Sequence, residues 1–296
     1  MTSTALSYEV FINDPPRQHN GALPNGEAKA FPPLATTLVH GEHDAVLVDP
    51  GFTEDQARAV GDWVEGKGRR LTNIFITHGH GDHWFNADLL ARRFGARVVA
   101  TEGTIAQMHA NVGARPFVWD RVYPGIPDSP VTAATVPDNR FALEGHKLVI
   151  VEAGYADTDA SSVLHVPDLA LVVAGDVMYN GAHLYLSETS LAGLDAWRRA
   201  IDAVAALGAR SIVAGHQNPA LDDDAERVTA ETRAYLDAAE KELAARETAL
   251  DYFTAMVERY PDHRGRTVLW ATAQAVYGIR ANPGDDPVQH IAGAWL

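Results

Sequence analysis

One segment constrains the fold more than any other, because a strand-like run leads directly into a cluster of potential metal ligands. The apolar run LTNIFIT precedes THGHGDHW, in which three histidines and an aspartate fall within six positions. The next segment, FNADLLARRFG, has helical spacing and is followed by a helix-ending position at Gly95. The pattern therefore predicts a buried strand, a tight polar loop and a helix, in that order.

The polar loop carries the residues of a metal centre. Alternate side chains of an extended segment share a face, so we expect His78 and His80 to point at one spot just after the strand ends. Asp82 and His83 lie where the helix begins and are expected to face a second spot nearby. Two adjacent spots are what a two-metal hydrolytic centre needs. The other interpretation, a His-rich surface loop, is disfavoured by the strand before the cluster and the helix after it.

Composition narrows the choice of metal and partner. The chain of 296 residues has no cysteine, which excludes disulfides and thiolate ligands. Imidazole and carboxylate together favour zinc, in one or two ions, with iron and manganese as alternatives. The formal net charge of −15 disfavours nucleic acid and anionic membranes as partners. No secretion signal and no long apolar segment occur in the sequence, so we expect a cytoplasmic protein with a small-molecule substrate, and a homodimer stays open.

The rest of the chain alternates strand and helix patterns. Strand-like runs dominate two regions, and each region ends in α/β units. TEDQARAVGDWVEGKG reads as a helix with Thr53 as its N-cap. Residues 111–135 contain four prolines and no clear period, which predicts a long covering loop. Residues 222–278 read as three helices with apolar positions at helical spacing.

These features together resemble the metallo-β-lactamase superfamily, whose HxHxDH signature is present in the histidine cluster. The resemblance covers roughly residues 8–220 and implies an α/β fold, a four-layer αββα sandwich with metals at one edge between two sheets. It implies a domain of residues 1–221, with residues 222–296 as a helical extension packed on it. The positions that match the family's metal centre, in addition to Asp49 in VDPG, are His78, His80, Asp82, His83, Asp176 and His216.

One position departs from the family pattern. The family supplies a third histidine to the first metal from a GHTxxS or GHTDTD turn, whereas this chain has VEAGYADTDASS with Tyr155 at that place. A neutral phenol is a poor ligand, although a nearby cation lowers its pKa. Three interpretations stay open: Tyr155 binds the first metal as a phenolate, it donates to a developing oxyanion, or the site is degenerate. Another histidine, such as His146 or His165, is a weaker substitute because each also reads as an ordinary turn or strand residue.

The expected activity is hydrolysis of an ester, lactone, thioester or amide of a small to medium molecule. The resemblance implies that the metal lowers the pKa of bound water, so that hydroxide attacks the carbonyl. Asp82 is expected to orient that hydroxide and carry its proton, and Tyr155 to stabilise the oxyanion. A lactonase or esterase is favoured over a β-lactamase because no secretion signal is visible. The residues expected to contact the substrate are Trp119, Tyr179, His183 and Tyr185.

Two alternatives remain at this stage. The first is an oxidative enzyme with one iron, as in the superfamily's sulfur dioxygenases, although Tyr155 interrupts the histidine triad on which that group relies. The second is a metal-poor pseudoenzyme or small-molecule binding protein of the same fold, because the loss of one ligand lowers metal affinity. Metal content and turnover of simple esters separate these alternatives from a hydrolase.

Overall fold

The computed structural model describes residues 5–16 and 21–281, which form ten strands and nine α-helices. The last part of the expected C-terminal extension, residues 282–296, lies outside the described residues. The strands are β1 (Ser7–Asn13), β2 (Leu34–His40), β3 (Asp44–Val48), β4 (Arg70–Phe75), β5 (Arg97–Val99), β6 (Arg140–Leu143), β7 (His146–Gly154), β8 (Ser161–Val166), β9 (Leu171–Asn180) and β10 (Ser211–Gln217). The helices are α1 (Glu54–Gly66), α2 (Gly81–Trp84), α3 (Ala87–Phe94), α4 (Glu102–Ala114), α5 (Trp119–Val122), α6 (Leu191–Ala205), α7 (Ala225–Ala245), α8 (Ala249–Arg259) and α9 (Arg266–Ala281).

The strands form one path that curls into two facing halves. Their order is β5-β4-β3-β2-β10-β9-β8-β7-β6, and β1 pairs with β2. An apolar layer between the halves joins Val46 of β3 and Phe75 of β4 to Leu148 of β7 and Leu164 of β8, all fully buried. Helices α1 and α3 cover the outer face of the first half, and α6 and α7 cover that of the second. The expected four-layer αββα sandwich is therefore confirmed.

Local sequence signals locate several elements correctly. Thr53 caps α1 in a capping box with Gln56, and Gly95 ends α3 with a left-handed φ of 68°. The predicted loop at residues 111–135 is partly wrong, because α4 continues to Ala114 and a further helical turn begins at Trp119. Tertiary packing stabilises this segment, since Trp119 lies against the rings of Phe52 and Phe85.

The three C-terminal helices pack on the second half of the sheet. Leu236 of α7, Phe253 of α8 and Leu269 of α9 join one buried cluster with residues of β9 and β10. Thr232 of α7 also bonds both backbone groups of Tyr179 in β9, accepting from its N–H at 3.1 Å and donating to its carbonyl at 3.0 Å. None of the helices in the described part of the chain is long and apolar enough to cross a bilayer.

Leu236→Ala tests whether the C-terminal helices contribute to the folded core. Leu236 is fully buried, so the substitution should lower the free energy of unfolding by about 2–5 kcal/mol. Leu250→Ala is the matched control, because Leu250 is 52% exposed and should change stability by about 0.5 kcal/mol or less. Urea unfolding followed by circular dichroism measures both. Equal effects of the two substitutions would show that α7 does not share the core with the sheet.

Candidate metal centre

The polar side chains of the centre come from the ends of neighbouring strands and from two loops. Asp49 follows β3, and the histidine cluster follows β4, which is parallel to β3. Asp176 lies in β9 and His216 in β10, and these two strands are also parallel. The carboxyl ends of parallel strands meet at one edge of a sheet, which is where open α/β sheets place their ligand sites. The fold thus brings residues that are far apart in the chain together at one edge of the sheet.

Asp49 holds the cluster in position. Its φ of 52° is unusual for a residue with a side chain, and it turns the carboxylate towards the end of β4. Oδ1 accepts the Thr77 amide at 3.0 Å, and Oδ2 accepts the Thr77 hydroxyl at 2.7 Å. Nδ1 of His83 lies 2.9 Å from the same Oδ2. Because a carboxylate has no proton to give, His83 must donate from Nδ1, which leaves its Nε2 lone pair facing the centre.

The same reasoning fixes the tautomers of the other three histidines. The Thr77 hydroxyl already donates to Asp49, so Nδ1 of His78, 3.0 Å away, donates to Thr77 and leaves Nε2 as the acceptor. His216 donates from Nδ1 to the carbonyl of Pro33 at 3.3 Å, which also leaves Nε2. His80 donates from Nε2 to Glu188 Oε1 at 3.0 Å, which leaves Nδ1. Each histidine in its neutral form therefore presents a fixed lone pair to the centre.

Four side chains form the first of two ligand sets. His83 Nε2 lies 3.3 Å from Asp82 Oδ2 and 3.4 Å from Asp176 Oδ1. His216 Nε2 lies 3.2 Å from Asp82 Oδ2 and 3.5 Å from Asp176 Oδ2. Two ligands of a tetrahedral zinc ion, each about 2.0–2.1 Å from the metal, lie about 3.3 Å apart. The spacing of Asp82, His83 and His216 fits one such ion, and Asp176 lies beside both histidines.

His78, His80 and Asp157 form the second ligand set. Asp157 Oδ2 lies 2.9 Å from His80 Nδ1 and 3.7 Å from His78 Nε2. The carboxylate is fully buried, and in the described part of the chain Oδ2 has no polar neighbour other than these two imidazoles. Nε2 of His78 is buried without a partner as well. Buried polar atoms without hydrogen bonds are costly, so their convergence on one point fits a cation between them.

The structure places Asp157, rather than Tyr155, beside the two histidines. The Tyr155 hydroxyl donates to the backbone carbonyl of Glu188 at 2.7 Å, and the ring does not line the cavity above the ligand sets. The physical reason lies in the turn after β7, where Gly154 has a φ of 87° and Asp157 enters the centre three positions later. A carboxylate is a good ligand without any shift in its pKa, which a phenol is not. Sequence reasoning missed Asp157 because it compared only the position of the family's histidine.

Glu188 supports the second ligand set through hydrogen bonds and is not one of its three ligands. Its Oε1 accepts from His80, and its Oε2 accepts the hydroxyl of Thr158 at 2.8 Å. Thr158 follows Asp157 directly, and its amide donates to Asp157 Oδ1 at 2.8 Å. Tyr155 holds the backbone of Glu188 through the hydrogen bond described above. Tyr155 is therefore a positioning residue in this structure, and no sequence signal pointed to Glu188.

In the metal-free centre, burial and neighbouring charges lower the pKa of one histidine and raise the pKa values of two others. Burial and the neighbouring histidines hold the pKa of His78 well below its usual value. Burial also opposes the charge of His80, but the negative charges of Asp157 and Glu188 raise its pKa well above that value. The pKa of His83 is raised in the same way, because the negative charges of Asp82, Asp176 and Asp49 have a larger effect than its burial. Burial raises the pKa of Asp157 to about 6.

A cavity of about 150 Å³ opens above the ligand sets. Three of the four expected substrate-contact residues, Trp119, Tyr179 and Tyr185, line it. His183 does not, because it is fully buried and its Nδ1 lies 2.9 Å from the Tyr235 hydroxyl of α7. The loop after β9 turns this side chain under the C-terminal helices, away from the cavity. Its expected contact with the substrate is not what the structure shows.

The absence of a side chain matters at two glycines near the ligands. A Cβ at Gly215 would lie 2.2 Å from Asp176 Oδ1, and one at Gly79 would lie 2.3 Å from Cβ of Gln107. Neither glycine has a positive φ, so they permit close packing rather than an unusual backbone turn. Gly215 lets the backbone of β10 approach the ligands of the first set.

The fold is of the αββα class, and its two ligand sets form a candidate metal centre. The family model of the metallo-beta-lactamase superfamily matches residues 33–216, and the chain belongs to this superfamily. A UPF0173 metal-dependent hydrolase from Staphylothermus marinus is 27% identical over 159 residues, which cover 48% of this chain and 66% of the relative. Another from Thermofilum pendens is 30% identical over 162 residues, covering 47% and 69%. The chain thus spans about two thirds of the length of these relatives.

Solved structures show the same fold at lower identity. A metallo-beta-lactamase from Pontibacter korlensis superposes with a TM-score of 0.57 at 21% identity, covering 78% of this chain and 99% of its own. A metallo-beta-lactamase family protein from Thermus thermophilus has a TM-score of 0.58 at 20% identity and covers 94% of this chain and 96% of its own. These likenesses establish the architecture and leave the substrate open.

Glu188→Gln should weaken metal binding by about 10–100-fold, because the substitution removes the charge that holds His80 as a ligand. Competition with a chromophoric chelator measures the affinity. Glu258→Gln makes the same chemical change on the exposed face of α8 and should leave the affinity unchanged. Equal affinities for the Glu188 variant and the unaltered protein would show that this hydrogen bond does not support the centre.

Zinc binding to metal-free protein should release protons near neutral pH. The pKa values of His80 and His83 are raised, so these imidazoles keep their protons to a higher pH than usual, whereas their lone pairs must be free to bind metal. Zinc affinity should therefore increase with pH, and the number of released protons should fall as the pH passes these pKa values. Calorimetric titration in two buffers of different ionisation enthalpy counts the protons. Identical heats in both buffers would contradict the protonated state assigned to these histidines.

Proposed function

We propose that the protein is a metal-dependent hydrolase that cleaves an ester, lactone, thioester or amide of a small to medium molecule, with esters and lactones favoured. The observation that carries the proposal is the convergence of seven ligand side chains in two adjacent sets, four of them histidines with tautomers fixed for metal binding. Zinc suits this mixture of imidazole and carboxylate. The names of the two curated relatives, both metal-dependent hydrolases, agree with this proposal.

The chain's own residues can assist carbonyl hydrolysis in defined ways. When bound, a pair of metal ions supplies a water of lowered pKa and an electrophile for the carbonyl oxygen. Asp82 lines the cavity, with Oδ2 directed to the histidines of the first set and its second oxygen left to accept a proton. Tyr179 donates to Asp176 Oδ2 at 2.6 Å and so fixes the carboxylate that lies between the two sets.

The cavity sets the size of the group next to the reacting carbonyl. Its volume of about 150 Å³ equals that of a cavity that holds one benzene ring. Phe31, Trp119 and Tyr123 form one wall, and Val268 of α9 contributes to the lining. Apolar walls with a few polar groups at one end are typical of small-molecule sites. We therefore propose a small-molecule substrate with a compact apolar part, and not a nucleic acid.

A mononuclear iron enzyme is the second candidate. Two histidines and one carboxylate, as in His78, His80 and Asp157, form the ligand set typical of non-haem iron(II) oxygenases. This removes the objection that Tyr155 interrupts the set. The complete first set of four ligands still favours a second metal ion and hydrolysis. Purified protein containing mainly iron and consuming oxygen in the presence of substrate would favour the oxidative enzyme.

Asp157→Asn tests the dinuclear hydrolase. Elemental analysis of the zinc-loaded, dialysed protein should give about two ions per chain, and the variant should retain about one. Hydrolysis of a panel of simple esters and lactones should fall by more than the roughly 10–100-fold typical of changes outside the ligand shell. Asp159→Asn is the matched control, since Asp159 lies in the same turn, is exposed, and accepts only the amide of Ala160 at 2.9 Å.

The outcomes separate the proposed functions. Two ions per chain with ester or lactone turnover that depends on Asp157 supports the hydrolase. Full metal loading without turnover of any panel member favours a binding protein of the same fold. No metal after zinc loading would overturn the assignment of both ligand sets.

A further inference from the structure

The cavity is lined by four carboxylates and by no lysine or arginine among the described residues. The carboxylates are Asp82, Asp157, Asp176 and Glu188. The four positive charges of two divalent ions would equal the four negative charges of these carboxylates, so the net charge of ions and carboxylates would be zero. A second anionic group on a substrate, away from the reacting carbonyl, would therefore find no counter-charge.

One wall of the cavity is aromatic, and its rings pack against one another. Phe31 and Tyr123 meet edge to face with ring centroids 5.4 Å apart, and Trp119 lies 6.0 Å from Tyr123. The Trp119 indole donates to Asn111 Oδ1 at 3.0 Å, which directs the NH₂ group of this amide as a neutral donor on the same wall. A substrate group that lies against these rings must leave water, and an unpaired carboxylate or phosphate would lose its hydration without compensation.

Two arginines near the wall in the chain, Arg115 and Arg266, form hydrogen bonds outside the cavity, and the exposed Arg121 is not part of the lining. Arg115 follows the lining residue Ala114, but it donates to Asp120 at 2.8 Å and to the carbonyl of Ile126 at 3.0 Å. Its guanidinium also lies over the ring of Phe85. Arg266, near Val268 of the lining, pairs with Glu27 and donates to the carbonyl of Pro261 at 2.6 Å. Neither guanidinium is directed into the cavity.

We propose that the site selects substrates without a negative charge on the group that lies against the aromatic wall, so that its natural substrate is a neutral ester or lactone with an apolar group about the size of one ring. This inference rests on the proposed hydrolase function and specifies its substrate class. It separates this site from ones that recognise the carboxylate of a β-lactam or the phosphates of a coenzyme thioester, since those groups require cationic partners.

Binding of two matched ketones to zinc-loaded protein tests the charge preference without turnover. The probes are para-nitrophenylacetone and para-carboxyphenylacetone, in which a methyl ketone replaces the cleavable ester. Nitro and carboxylate groups have nearly the same shape, and only the carboxylate is charged. Calorimetric titration should show the nitro compound binding at least about tenfold more tightly. Equal or tighter binding of the carboxylate, or binding of neither probe, would overturn the proposal.

Three variants test whether the wall itself sets the preference. Val118→Lys places an ammonium group on the cavity lining and should increase the affinity for the carboxylate probe at least about tenfold. Val118→Met has similar length without the charge and should not. Phe117→Lys adds the same charge at a neighbouring residue that is 63% exposed and outside the lining, so it controls for the general field of the protein. An equal gain in Val118→Lys and Phe117→Lys, or a gain in neither, would contradict the proposal.

The corresponding methyl esters, para-substituted methyl phenylacetates, distinguish failure of this inference from failure of the hydrolase. Hydrolysis with the expected neutral preference supports both. If the neutral ketone binds and no ester is hydrolysed, the charge selection is supported and the hydrolase function is contradicted. Hydrolysis of the carboxylate ester at the rate of the nitro ester keeps the hydrolase and overturns the charge selection.

Discussion

The carboxylate of Asp49 is the interaction on which the rest of the centre depends. It joins the ends of β3 and β4 through two bonds from Thr77, and it fixes the tautomer of His83 directly and that of His78 through the Thr77 hydroxyl. A left-handed φ at a residue with a side chain costs on the order of 1–3 kcal/mol, and such conformations persist where the surrounding bonds determine them. Without this carboxylate the two histidines would be free to present either nitrogen, and the ligand geometry would lose its preorganisation.

The curled sheet explains why a centre of this kind needs the whole chain. The first half supplies the histidine cluster, while Asp157, Asp176 and His216 come from the second half. The C-terminal helices are coupled to the same centre, since Thr232 of α7 fixes the backbone of Tyr179, whose hydroxyl holds Asp176. The helices also contribute Val268 to the cavity. They are therefore connected to Asp176 by hydrogen bonds through Tyr179, in addition to their share of the apolar core.

Sequence patterns predicted the parts of the centre that are set by local structure. The strand, loop and helix around His78 follow from periodicity and spacing, and the helix boundary at Thr53 follows from capping chemistry. Asp157 and Glu188 could not be predicted in the same way, because their positions depend on how two loops meet after the sheet curls. The expected role of Tyr155 rested on alignment to a single position, whereas the turn carries its ligand two residues later. The position of His183 could not be predicted either. It follows the strand that carries Asp176, but its side chain packs against Tyr235 of α7 rather than facing the cavity.

The carboxylate of Asp157 changes the electrostatics of the centre as well as its ligand count. With an imidazole at that place, a centre with two divalent ions would carry a net positive charge. Such a charge attracts anionic substrates and polarises a carbonyl oxygen more strongly. With Asp157 and the nearby Glu188, four carboxylates line the cavity at the two ligand sets. Such a centre holds its ions more firmly and attracts anions less, because the ligand charge already neutralises the metal charge. The carboxylate ligand and the uncharged aromatic wall therefore favour the same kind of substrate, one that brings a polar carbonyl to the metals and no negative charge of its own.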